Sequence, residues 1–266
     1  MKTVVITGAT SGTGYCVAKK FADNGYNVCI TSRDEERAKM AAAKLKQEAK
    51  EDVETFGYGI RPLEEQQVID MFNDLKGKGC PVSKLVLVAS NMGINMPDFF
   101  EVKYEDWIRV INTNVGWNFM MTRQAAKHMA SLGGGSIVII GSANATRPSK
   151  NRSAYCVSKA GLHGLAKTLS VELGHLNIRV NTVVAGPIKT ERYYARPEIH
   201  NSPQMKNPMG DIASFEDIAN AVYFLADNEQ ARIISGAELA VDGALTTQFV
   251  YEEQGIKFAD GTMIAD

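Results

Sequence analysis

Apolar positions along this chain recur in two alternating patterns. Short runs of consecutive aliphatic residues, such as Leu85-Val86-Leu87-Val88-Ala89 and Ile137-Val138-Ile139-Ile140, are separated by longer stretches in which apolar residues return every three or four positions. The continuous runs predict parallel strands covered on both faces, and the spaced ones predict amphipathic helices. Strands are expected at residues 2–7, 28–31, 53–60, 85–89, 137–140, 178–184 and 238–241. Helices are expected at 13–24, 34–50, 64–76, 110–130, 153–175 and 215–226. This alternation has no linker, repeat or composition break. It predicts an α/β, Rossmann-type, doubly wound parallel sheet of about seven strands with helices on both faces, in a single domain spanning 1–266.

Two segments stand outside the alternation. Residues 186–212 are rich in Pro, Asn, Arg and Met and follow a strand at the edge where such sheets bind ligands, which predicts a substrate loop or lid. The plainer alternative is a mobile surface insertion. Residues 244–266 form a C-terminal tail mixing Phe249, Tyr251, Phe258 and Met263 with acids, a cover for a subunit interface or for the cleft, or a frayed end.

Composition narrows the function classes. Hydrophobic residues make up 45%, charged residues 22%, and the formal net charge is −1, so no broad basic footprint for nucleic acid or an anionic membrane exists. No apolar stretch is long enough to span a bilayer, and the opening MKTVVITG lacks the long apolar core of a secretory signal. Cys16, Cys29, Cys80 and Cys156 are scattered without CxxC spacing, which points to a reduced, cytoplasmic setting. His128, His163, His175 and His200 show no ligand spacing. No metal site is expected, and these histidines read as surface or internally satisfied.

The first predicted strand runs directly into Thr7-Gly8-Ala9-Thr10-Ser11-Gly12-Thr13-Gly14 and then a helix. Gly8 permits a tight turn, Gly12 lets the backbone approach a pyrophosphate, and Gly14 permits close helix–sheet packing. The helix N-terminus offers unpaired N–H groups to an anion. The spacing is Gly-x3-Gly-x-Gly, and it resembles the TGxxxGxG turn of the short-chain dehydrogenase/reductase family. The resemblance extends over roughly residues 2–243. It implies that Gly8, Thr10, Ser11, Gly12, Thr13 and Gly14 surround a dinucleotide, with Thr13 replacing the usual Ile or Leu. The second strand ends in Ser32-Arg33, where an acidic residue would bond ribose hydroxyls and repel a 2′-phosphate. Arg33 can pair bidentately with that phosphate, so NADP(H) is the expected cofactor and NAD(H) the second choice. Arg61-Pro62 falls where the family usually has an Asp-Val-like pair against the adenine. Ser90-Asn91-Met92-Gly93 resembles the family's Asn-Asn-Ala-Gly segment, matching at Asn91 and Gly93.

Tyr155-x3-Lys159 places a phenol and an ammonium on one helix face, a spacing that Tyr15-x3-Lys19 also shows and that means little alone. Context separates them, because Ser142 at the end of the fifth strand would meet Tyr155 at the carboxyl edge of the sheet. Carbonyl reduction needs an acid, and alcohol oxidation needs a base. A phenol of pKa ~10 is too weak a base at neutral pH unless a neighbouring cation, here Lys159, favours the phenolate. The set Asn114, Ser142, Tyr155 and Lys159 stands in the family's order, which implies that Ser142 holds the substrate oxygen and that Asn114 binds a water linking Lys159 to solvent. Asn181-Thr182-Val183-Val184-Ala185-Gly186-Pro187-Ile188-Lys189-Thr190 resembles the segment whose Ile188 backbone and Thr190 hydroxyl would hold the nicotinamide carboxamide. Ala185 replaces the usual proline.

The expected function is an NADP(H)-dependent oxidoreductase interconverting a secondary alcohol and a ketone on a bulky apolar substrate of hydroxysteroid type. Candidate lining residues are 144–149, 92–100 and the 186–212 loop, with Tyr193, Tyr194, Met205 and Met209. The alternative within the family is a 3-oxoacyl-[acyl-carrier-protein] reductase, which commonly carries an Arg where this chain has Leu176. A non-catalytic NADP(H)-sensing regulator is the reading from another class. Such regulators often lose the Tyr or the Lys, and both are present here. The family resemblance also implies a homotetramer or homodimer.

Overall fold

The aliphatic runs become strands because each contributes residues to both faces of one sheet. The computed structural model describes residues 2–93, 98–200 and 205–248. β1 (Thr3–Thr7), β2 (Asn27–Ser32), β3 (Thr55–Gly59), β4 (Val82–Leu87), β5 (Gly135–Ile140), β6 (Ile178–Ala185) and β7 (Glu238–Val241) form a seven-stranded sheet in the order β3-β2-β1-β4-β5-β6-β7. Every neighbouring pair is parallel. Alternation along each strand sends Val4, Ile6, Val86, Val138 and Val183 to one face. There they pack with Val17 and Phe21 of α1 (Gly12–Asp23), Leu45 of α2 (Glu35–Glu48) and Val222 of α8 (Phe215–Ala226). Val5, Leu85, Leu87, Ile137, Ile139 and Val180 face the other way. Their partners are Phe72 of α3 (Glu65–Gly77), Met121 and Met129 of α5 (Trp117–Ser131) and Leu162 of α6 (Ser153–Glu172). No helix among the described residues is long and apolar enough to cross a membrane.

Three elements differ from the sequence expectation, each for a local reason. β4 lies at Val82–Leu87 rather than 85–89, because the Val88 and Ala89 N–H groups leave the ladder to donate to Thr7 Oγ1 at 3.0 and 3.1 Å. The helix expected at 110–130 is α4 (Tyr104–Ile111) and α5, joined by a π-helical turn at Asn112–Gly116. The 186–212 stretch is partly ordered: it contains α7 (Glu191–Tyr194), a 3-10 turn at Pro197–Ile199 and a parallel bridge from Ile188 to Ala213. Lys189 Nζ is paired with Asp211 at 2.7 Å across its base. Residues 201–204 of this loop and 249–266 of the tail lie outside the described residues.

A row of polar residues crosses the sheet interior where aliphatic ones would be expected. Lys84, Ser136 and Arg179 are register partners on β4, β5 and β6. All three are buried and reach the carboxyl end of α8. Arg179 donates to the carbonyls of Leu225 (2.8 Å), Ala226 (3.2 Å) and Asp227 (2.9 Å), Ser136 Oγ to Leu225 O (3.3 Å), and Lys84 Nζ to Asn228 Oδ1 (2.6 Å). A helix end leaves carbonyls unpaired and partly negative, which the two cations offset.

Burial, reinforced by the charges of Arg179 and Lys2, lowers the Lys84 ammonium to about 7, against a weaker pull from Asp227. The unfolded chain holds that proton to a higher pH, so the cost of burying the charge is full below about pH 7 and fades as the pH climbs towards 10.5. Lys84→Met should therefore raise the unfolding free energy at pH 7 by roughly 1–4 kcal/mol, as replacement of buried ionic groups by apolar ones often does. Denaturant titrations at pH 7 and 10 test this. The gain should shrink at the higher pH.

Candidate active site

The strand order reverses between β1 and β4, so the connections leaving these two strands diverge and open a crevice at their carboxyl ends. Thr7 Oγ1, accepting from both Val88 and Ala89, fixes one wall of that opening. The glycine turn fills the other. Gly8 sits at φ +65°, and a Cβ on it would stand 3.0 Å from Ala89 Cα. A Cβ on Gly14 would meet Gly8 O at 2.5 Å, so α1 can lie this close to β1 only with glycine there.

This turn suits an anionic dinucleotide on three grounds. Ser11, the N-cap of α1, makes no side-chain cap bond, and no acidic residue occupies the first turn, which leaves the helix N–H groups for an outside acceptor. Gly12 (φ +53°) faces no backbone, its nearest neighbour for an added Cβ being the Phe215 ring at 3.4 Å. At the tip of β2, the Ser32 hydroxyl accepts from Asp34 N at 3.2 Å, and the exposed Arg33 guanidinium has no ion pair among the described residues. Its nearby acids are used elsewhere: Asp34 caps α2 at Arg37 N, and Glu36 faces Lys39. Arg61, expected beside an adenine, follows β3 with its backbone N–H donating to Gln67 Oε1.

The four residues expected to do chemistry come together on the far side of the crevice. Ser142 follows β5, and its buried hydroxyl is hydrogen-bonded to Tyr155 while accepting from Asn144 N at 3.1 Å. Tyr155 lies in the first turn of α6. Lys159 follows on the same face, its Nζ 5.7 Å from the Tyr155 ring centroid and donating to Ile140 O at 2.9 Å. Asn114 sits at the centre of the π-turn with no exposed surface. Its Oδ1 accepts from Asn91 N (2.6 Å), and its Nδ2 donates to Asn91 O (2.9 Å) and Ser158 Oγ (2.8 Å). That brace spends both amide protons, so the side chain ties the loop after β4 to α6. The Asn91 side chain in turn accepts from Gly93 N. Thr190 Oγ1 accepts from Tyr193 N at 3.3 Å as the cap of α7, which leaves its proton to donate, and Ile188 is held by its bridge to Ala213.

The electrostatics correct one expectation. Lys159 was expected to acidify Tyr155, but burial pushes the phenol above its ordinary value, with the Ser142 hydrogen bond and the Arg152 charge opposing it. Lys159 is not among the groups that shift it. The reason is burial of both partners: Lys159 is itself lowered to about 8, and its ammonium is turned to the Ile140 carbonyl.

A cavity of about 250 Å³ opens against Tyr155, lined on one side by Met92 and Gly93 and on the other by Val102, Trp107 and Val110. A second of similar size adjoins Pro148, Ser149 and Cys156. Segments 92–100 and 144–149 thus contribute walls as expected, with residues 94–97 outside the described residues. The α4 side of the first cavity is not foreseen in the sequence, because the helix is expected to begin only at residue 110 and Trp107 then falls outside any element. Neither cavity is lined by the 186–212 loop, where Tyr194 and Met209 are exposed.

Comparison with known proteins agrees with this geometry. A family model described as enoyl-(acyl carrier protein) reductase matches residues 8–246. A 3alpha-hydroxysteroid dehydrogenase of Mediterraneibacter gnavus is 35% identical over 245 residues, covering 91% of this chain and 96% of that protein. The solved structure of ElxO with NADP bound matches with a TM-score of 0.83 at 30% identity, over 93% of this chain and 99% of its own. A 7 alpha-hydroxysteroid dehydrogenase complexed with NADH and 7-oxo glycochenodeoxycholic acid gives 0.81 at 29%, over 91% and 93%.

Replacing Asn114 by Leu keeps the volume but leaves the Asn91 N–H and carbonyl without their partner, while the Ser158 hydroxyl keeps its bond to the Tyr155 carbonyl. Two groups losing their partners in the interior should cost roughly 2–4 kcal/mol. Urea unfolding of Asn114→Leu measures it.

Proposed function

This chain belongs to the short-chain dehydrogenase/reductase family and is an oxidoreductase acting on CH–OH groups; on that premise we propose that it interconverts a secondary alcohol and a ketone with NADP(H), Tyr155 exchanging the proton. The observation that carries this reading is the convergence of Ser142, Tyr155 and Lys159 at the carboxyl edge of β5, beside a cavity that sets Met92, Val102, Trp107 and Val110 among the charged Glu101, Lys103, Asp106 and Arg152. When bound, the nicotinamide supplies or accepts the hydride. Gly8, Thr10, Ser11, Gly12, Thr13 and Gly14 would hold its pyrophosphate, Asn91 and Gly93 its ribose, and Ile188 and Thr190 its carboxamide.

Tyr155 acts as the acid in ketone reduction. Its raised value keeps the phenol protonated at neutral pH, and an alkoxide forming against it is basic enough to take that proton. Ser142, already bonded to the phenol, holds the substrate oxygen at the transfer distance. In the oxidation direction the phenolate must form, and the Ser142 hydrogen bond with the Arg152 charge favours it. The family's water link from Asn114 to Lys159 would run through acceptor capacity that the Asn114 brace leaves over.

The NADP(H) preference is supported by Arg33, exposed at the tip of β2 and without an ion pair among the described residues, and by Ser32 standing where an acid would repel a 2′-phosphate. Among solved relatives, ElxO binds NADP and the 7 alpha-hydroxysteroid dehydrogenase binds NADH, so NAD(H) is the alternative. A bulky alicyclic substrate of hydroxysteroid type is supported by Met92, Val102, Trp107 and Val110 in the cavity and by two relatives named for such substrates.

Tyr155→Phe should lower kcat by about 100-fold or more while NADPH affinity, read by fluorescence titration, stays within about twofold. Arg33→Ala should weaken NADPH by about tenfold or more, the loss of a charge-assisted contact, and leave NADH nearly unchanged. Equal losses for both cofactors would remove the phosphate-reading role. Assaying hydroxysteroids beside a 3-oxoacyl thioester decides the substrate class.

A further inference from the structure

α6 carries a second ionisable side chain, one turn beyond Lys159, that the mechanism above does not use. His163 is buried, and its Nδ1 lies 3.2 Å from Glu238 Oε2 on β7. Glu238 also receives Lys167 Nζ at 2.6 Å. A carboxylate only accepts, so Nδ1 carries the proton and Nε2 presents a bare lone pair. That Nε2 has no hydrogen-bond partner among the described residues, and neither has Thr182 Oγ1 on β6.

Both of these side chains crowd Gly141. A Cβ there would collide with His163 Nε2 and stand 2.7 Å from Thr182 Cγ2. Lys159 Nζ bonds the Ile140 carbonyl, which belongs to the same peptide unit. The ammonium and the imidazole lone pair thus converge on the Ile140–Gly141 peptide, directly ahead of Ser142, where Thr182 packs its methyl group. Orphaned polar atoms are costly in a dry interior, and a buried water with several polar partners is the usual remedy.

We propose that His163, held by Glu238, is a positioning residue for Lys159: it keeps the ammonium on the Ile140 carbonyl and, through a water on its unpaired Nε2, exchanges protons with it. When Lys159 gives up a proton, Nε2 gains one and Nδ1 releases one to Glu238, from which solvent takes it; the reverse path resupplies Lys159 during reduction. Glu238 suits the outlet because it is partly exposed and held ionised: burial raises it, but the hydrogen bonds from Lys167 and His163 and the Lys167 charge bring it below its ordinary value. The ionisable groups acting on His163 are Glu238 from β7 and Lys159 and Lys167 from α6. Gly141 and Thr182, which pack on the ring, do not titrate. Burial holds the imidazole below its ordinary value, so it is neutral at pH 7 and charges only in mild acid, where a second cation beside Lys159 interrupts the exchange.

This inference rests on Tyr155 being the proton-exchanging group, and the test separates the two. The pH dependence of kcat is measured with NADPH and the ketone that the wild type reduces fastest, using the full chain, His163→Gln and Glu238→Gln. His163→Gln, which retains a donor to Glu238, should lose about tenfold in kcat, less than the ~100-fold of a direct acid–base residue. It should also lose the acid-side inflection and show a larger solvent deuterium isotope effect, with both KM values within about twofold of wild type. Glu238→Gln should shift the profile in the same direction, and it supplies the result if His163→Gln does not fold. An unchanged profile, or a pH-independent loss that tracks a lower Tm and a raised KM, overturns the proposal. Full turnover by Tyr155→Phe would instead remove the underlying reading, whatever the His163 profile shows.

Discussion

The arrangement at the crevice depends on the side chain of Asn114. A polar amide with no exposed surface must find partners, and it finds them on two elements that are far apart in sequence: the loop after β4 and the helix α6. Satisfying the amide sets the distance between those elements, and one wall of the cavity beside Tyr155 and the phenol itself hang from one or the other. Met92 and Gly93 follow the braced Asn91, and Tyr155 and Lys159 flank Ser158 on α6. The π-turn at Asn112–Gly116 is the backbone counterpart, a single widened turn of the kind that recurs at functional sites. Asn118, one turn on, donates to the Asn114 carbonyl at 2.6 Å and so secures the opened backbone.

What the sequence made legible were features carried by residue type at fixed spacing. Three glycines in one strand-to-helix turn announce a close approach of backbone to backbone, and the packing at Gly8 and Gly14 leaves no room for anything else. Continuous aliphatic runs announced the central strands. The shift of β4 by three residues was hidden because Val88 and Ala89 are as apolar as the strand itself, and only Thr7 decides where the ladder stops. The π-turn was hidden because Asn114 reads as one polar residue in a helical pattern until its partners are known.

The largest misreading concerns charge in the interior. Lys84 and Arg179 sit on strands where hydrophobicity alone predicts solvent or error, and they are stable because a helix terminus supplies the carbonyls they need. His163 was read as surface or satisfied, and it is buried with one nitrogen paired and the other unpaired. The direction of the Tyr155 shift belongs to the same class. Spacing places a cation nearby, but it does not encode burial, and burial raises the phenol. The interior lysine and arginine hold the carboxyl end of α8, while Phe215 at its other end rests against Gly12, so the glycine turn is buttressed from the base of the sheet.

The strand order has a consequence for how the polypeptide is made. β1 is synthesised before the other six strands of this sheet, yet it lies inside the finished sheet, with β2 on one side and β4 on the other. Until residues 82–87 have been synthesised, a nascent chain that has already assembled β1, β2 and β3 presents Thr3–Thr7 as a bare hydrophobic border. Such a border can pair with any extended segment it meets. The interval of translation between β3 and β4 is therefore one in which β1 is open to wrong pairing with its neighbours.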